Sequence, residues 1–168
     1  MADLIMPRKA GAGGRGEDRP GPKQAAAWGS AAVAGTAFSA AAGADIALRL
    51  YPFGFGEPLW EATTMIVALD RMPLVLLGIG LLLGAAIAQS RRIGLFALAA
   101  VTVLFAIATG FAAFLLATAV PRVFASGAEA QVLAGLRRNT TRAAFEAAVC
   151  VLGALWIAWR GWQQYQKL

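Results

Sequence analysis

The chain has no histidine and only one cysteine among its 168 residues. Without histidine it lacks the commonest metal ligand, the usual axial haem ligand and the usual proton relay near neutral pH. A serine or cysteine triad would lack its base. The lone Cys150 rules out an internal disulfide, a CxxC redox pair and a cysteine zinc site. No glycine-rich phosphate loop runs into a Lys-Ser or Lys-Thr pair, and no basic stripe with interleaved aromatics marks a nucleic-acid surface. These gaps predict a non-enzyme with no cofactor, no metal and no nucleic-acid partner. Charge is also scarce, at 14% of residues.

Apolar sequence fills the space instead. Four runs cover most of the chain: Ala25–Leu48, Pro73–Ala88, Ile93–Val120 and Ala143–Trp159. Crossing a hydrocarbon layer takes roughly 20 apolar residues, so each run is a candidate membrane helix. The expected fold is therefore an all-α integral membrane protein, a four-helix transmembrane bundle. Its domain spans 25–162, with crossings at about 25–48, 73–89, 92–120 and 142–160. A polar, Gly/Pro-rich tail (1–24) precedes it and a short tail (163–168) follows.

Two loops carry enough sequence for further elements. Pro58 suits a first helical turn, so LWEATTMIVALDR predicts a short interfacial helix that Pro73 ends. Ser126 and Glu129 have capping-box spacing, so a second short helix is expected near Ala128–Arg138. Pro121 is expected to stop the third span. Asn139-Thr140-Thr141 reads as a glycosylation sequon, an improbable modification beside a bacterial membrane.

The first run is mostly Ala, Gly and Ser. Ala27, Ala31, Gly35, Ser39 and Gly43 recur every four residues, and Gly80 and Gly84 form a GxxxG in the second run. Small residues at such spacing let helix backbones approach closely in lipid, so both sets are expected helix-packing interfaces. The run also has a signal-peptide look, ending in Ala40-Ala41-Ala42, but it is long for one and cleavage is not expected. In the tail, Leu4, Ile5 and Met6 are the only apolar cluster; the tail reads either as a floppy terminus or as one that docks these three residues onto a partner.

Intramembrane carboxylates are the natural functional suspects in such a protein. Asp45 precedes Arg49 by four residues, Glu146 follows Arg142 by four, and Asp70 stands beside Arg71. With four spans, all six residues fall at the same end. They predict a charge clasp between helices one, two and four; the competing reading is a polar pocket for a cation or a proton.

Arginine outnumbers lysine twelve to three, a bias of GC-rich bacterial genomes. Nine basic residues fall on the side holding both termini and six on the other. The excess predicts a bacterial inner-membrane protein with cytoplasmic termini. Its expected partners are lipids and other membrane subunits, as an accessory or scaffolding subunit of a larger complex, whether respiratory, photosynthetic or secretory. A small independent transporter or channel using the carboxylate layer is the alternative.

Overall fold

The computed structural model describes residues 22–90, 92–127 and 129–167. They form four helices: α1 (Pro22–Leu50), α2 (Pro58–Ala88), α3 (Arg92–Ala125) and α4 (Ala130–Lys167). Each is long and apolar enough to cross a membrane. The 29 residues of α1 make about 44 Å of helix and the 38 of α4 about 57 Å. The expected tail contacts of Leu4, Ile5 and Met6 lie outside the described residues.

The two separate interfacial helices do not exist. The first is the opening of α2, which runs through Pro73 without a break. The second is the opening of α4, which continues from Ala130 into the fourth apolar run. Nor does Pro121 stop α3, which extends to Ala125. Proline removes one N–H and frees one carbonyl. At Pro73, which opens an apolar run, breaking the helix would strand several more backbone groups, so the longer helix is the cheaper solution. At Pro121 the last turn of α3 is held by Arg122, which bonds the Thr118 carbonyl and Glu61. Neighbours also hold α2 on either side of its proline, with Gly78 and Ile79 buried after it. Leu69 and Met72 are buried, and Asp70 and Arg71 are ion-paired to different helices.

Helix ends follow local chemistry. Pro58 occupies the first turn of α2, where its missing N–H has no intrahelical partner to lose. After α3 the chain turns at Gly127, whose φ of +74° suits glycine. Ser126 serves this helix end rather than a cap on α4: its Oγ donates to the Val123 carbonyl at 2.8 Å.

α2 is the hub. It packs on α1, α3 and α4, while α3 packs on α4; among the described residues α1 packs against α2 alone. The core belongs to α2, α3 and α4. On α3 the buried residues include Thr102, Phe105, Thr109, Ala112, Leu116, Ala119 and Val123, in alternating steps of three and four. On α4, Ala143, Ala147, Cys150, Ala154, Ile157 and Gly161 repeat the pattern. This 3.5-residue average is the seam spacing of coiled coils. Most of these side chains are small, which allows close helix approach. The buried hydroxyls of Thr102 and Thr109 donate to the carbonyls of Leu98 and Phe105 on their own helix, at 2.6 and 2.8 Å.

Candidate functional site

The polar centre of the molecule lies partway along α2, which is flanked there by α1 on one side and α4 on the other. Asp70 and Arg71 are adjacent on α2 and reach opposite ways. Arg71 Nε donates to Asp45 Oδ2 on α1 at 2.8 Å. Asp45 Oδ1 also accepts from Arg49 Nε at 3.1 Å, one turn along α1. On the other side, Asp70 Oδ1 stands 3.3 Å from an Arg142 guanidinium nitrogen on α4. Arg142 Nε donates to Glu146 Oε1 at 2.7 Å. Three acids thus meet three arginines, and α2 is tied to α1 through one member and to α4 through the other. Glu146 Oε2 is the exception: it is buried and has no hydrogen-bond partner.

Sequence reasoning missed a second ionic contact. Glu61 on α2 is buried and pairs with Arg122 on α3. Its Oε1 accepts the Gly56 N–H at 2.9 Å, which pins the loop before α2. Gly56 has a φ of +101°, so this loop needs glycine there. Arg122 Nε also donates to the Thr118 carbonyl at 3.0 Å. From Glu61 to Asp70 the helix rises about 13 Å, so this pair lies nearer the loops than the six-residue cluster. The signal was topological: a bundle that puts the start of α2 beside the end of α3 brings these two positions together. Reading Pro58–Arg71 as a detached surface helix hid it.

The small-residue positions divide between faces. Gly35 is buried against α2, where an added methyl would stand 2.6 Å from the Gly78 carbonyl oxygen. Ser39 lies beside Gly78, with its Oγ 3.5 Å from the Val75 carbonyl. Ala31 is half-buried, Ala27 is exposed, and Gly43 has nothing within 4 Å of an added methyl. The geometry of a 3.6-residue turn accounts for the split. Each step of four residues advances about 40° around the helix, so the ladder winds away from any one neighbour. The seam instead follows Trp28, Gly35 and Ala42, at seven-residue intervals. Gly84 lies under the Trp28 ring, whereas Gly80 faces Ile157 of α4.

Aromatic side chains gather at both ends of the bundle. Tyr51, Phe53, Phe55 and Trp60 stack in series around the α1–α2 loop. At the opposite end Phe96, Trp162 and Tyr165 form a second group, and Arg160 lies 5.6 Å from the centre of the Trp156 ring. Among the described residues no three acidic or cysteine side chains converge as a metal site would require. Cys150 is buried one turn from Glu146.

Comparison with family models, with curated proteins and with solved structures finds no match. The arrangement of side chains therefore carries the functional argument alone.

Proposed function

We propose that this chain crosses a bacterial inner membrane four times, with both termini in the cytoplasm. We further propose that it is a non-catalytic accessory or scaffolding subunit of a larger membrane complex, of respiratory or photosynthetic type. From Asp70 to Ala88, α2 rises about 27 Å, close to the roughly 30 Å of a hydrocarbon layer. The ionic cluster would then mark one boundary, and the Arg92, Arg160 and Trp162 end the other. The excess of basic residues on the side of the termini supports the orientation.

The scaffolding reading rests on α1. This helix is rich in Ala and Gly and, among the described residues, packs against one neighbour and leaves its other faces uncovered. Bare small-residue surface gains little from lipid but packs well against another helix. The arginines also neutralise every carboxylate of the cluster, which suits a clasp better than a cation site. The decisive experiment is the mass of the assembly released from native membranes by mild detergent. A discrete particle containing other subunits in fixed ratio is expected; a monodisperse single chain would overturn the reading.

One observation favours the transporter or channel alternative: the buried, unpartnered Oε2 of Glu146. Asp45→Asn and Glu146→Gln separate the two readings. A clasp loses stability and assembly in both variants, and Asp45→Asn with Arg71→Gln is milder than Asp45→Asn alone because one arginine, the more exposed Arg49, rather than two is left without a carboxylate. A transporter keeps its fold and assembly and loses flux in reconstituted vesicles.

A further inference from the structure

An open hollow of about 840 Å³ lies on the first third of α4, lined by Ala134, Arg137, Arg138, Thr141, Arg142 and Phe145. Its charge is unbalanced. Arg142 is committed to Asp70 and Glu146. Arg137 and Arg138 form no ion pair among the described residues. The Thr141 hydroxyl donates to the Arg137 carbonyl at 3.1 Å, so the two arginines supply the free donors.

Directly along the same face, the surface turns apolar. Phe145, Val149, Leu152 and Trp156 are all exposed, at 71%, 49%, 67% and 58%. With Arg138 they fall within about 40° of one line along the helix. The strip thus begins at the Arg138 guanidinium, with Arg137 lining the same hollow from about 100° around the helix, and continues as an uncovered hydrocarbon track. We propose that this strip is a binding site for one phospholipid with an anionic headgroup. Its phosphodiester sits between Arg137 and Arg138, and one acyl chain lies along Phe145, Val149 and Leu152, which reach about 15 Å below Arg142, the depth of one leaflet.

The heights agree. Arg142 belongs to the layer assigned to the hydrocarbon boundary, and Arg138 stands about 6 Å above it. A headgroup region is about 5–8 Å thick, so Arg138 is level with lipid phosphates. Arginine is also suited to the ligand, because its planar fork matches phosphate oxygens in pairs. The proposal rests on α4 crossing the membrane, and its test reads that separately.

The full chain is reconstituted in vesicles of phosphatidylcholine and phosphatidylglycerol in equal parts. Membrane insertion is read by resistance to alkaline carbonate. Protein released in mild detergent is then weighed with its bound lipids by native mass spectrometry. Wild type should retain phosphatidylglycerol over phosphatidylcholine. R137Q with R138Q should keep its helix content and carbonate resistance but lose that preference about 25-fold, since each arginine near an anionic surface is worth roughly fivefold. K167Q, at the other end of α4, should keep it. An unaltered preference in the double variant overturns the site, as does retention of inorganic phosphate without selectivity among lipids. A carbonate-extractable wild type overturns the membrane reading and the lipid site together.

Discussion

α1 and α2 have nearly the same length and lie side by side, yet α2 packs on every other helix and α1 only on α2. Size alone does not explain this, because small residues let α1 approach a neighbour on almost any face. What separates them is where each helix places bulk and charge. α2 buries Met65, Leu69, Met72, Ile79 and Leu83 and sends Glu61, Asp70 and Arg71 to three different helices. α1 gives one narrow stripe to α2 and one carboxylate to Arg71. A helix is thus drawn into a bundle core by large side chains spread around its circumference. A helix of small residues is held along a single line.

That line can be broken at one residue. At the closest approach of α1 and α2, Gly35 and Gly78 face each other with no room for a side chain. Gly35→Leu should force the helices apart and give the largest loss among single substitutions in α1, about 3 kcal/mol or more from overpacking. The check is a detergent-unfolding midpoint, together with disulfide crosslinking between cysteines added to α1 and α2 after removal of Cys150. Retained crosslinking would mean that the seam tolerates bulk and that the contrast with α2 is overstated. Gly35→Ala tests the same contact more gently, since a methyl already meets the Gly78 carbonyl oxygen.

A second, smaller effect is expected where α2 exceeds α1 in reach. Glu61→Gln keeps the shape and removes the charge, leaving Arg122 without its carboxylate and the Gly56 N–H with a weaker acceptor. Stability should fall by less than in Gly35→Leu, because Arg122 is nearly half exposed and keeps its bond to the Thr118 carbonyl. Proteolysis or hydrogen exchange should increase in the 51–57 loop and at the end of α3 while α1 stays protected. Equal loosening of α1 would show that the hub does not separate these contacts.

The sequence made the four-helix class legible because apolar length is a strong signal that needs no neighbour to interpret it. The acid–arginine positions were legible for a similar reason: i,i+4 spacing and a four-span topology bring them to one end. Two kinds of feature were hidden. Pro73 and Pro121 read as breaks, yet at Pro73 the cost of stranding backbone groups outweighs the loss of one hydrogen bond, and at Pro121 the contacts of Arg122 hold the last turn of α3. The buried seam of α3 was also invisible, because that helix is apolar nearly all round and Leu104, Ile107 and Phe111 on its exposed side match its core in character. In the repeated small residues of α1, the seam's seven-residue step from Trp28 through Gly35 to Ala42 lay under the more obvious step of four.

One face of α1 touches none of the other described residues. Gly43 lies eight residues from Gly35, about 80° around the helix, and open space surrounds it. Gly43→Leu should therefore leave the isolated chain within about 0.5 kcal/mol of wild type, or slightly more stable, since leucine favours helix by up to about 1 kcal/mol over glycine. Gly29→Leu should behave alike, for the same lack of neighbours. Both substitutions would act on whatever covers that face in the native membrane. If α1 is a docking helix, the purified chain unfolds as before while the larger assembly loses this subunit. If the bare face meets only lipid, both measurements stay unchanged, because leucine suits lipid better than glycine does. Bulk at Gly35 cannot separate these cases, since it first damages the chain's own α1–α2 seam. Bulk at Gly43 can, because within this chain it costs nothing.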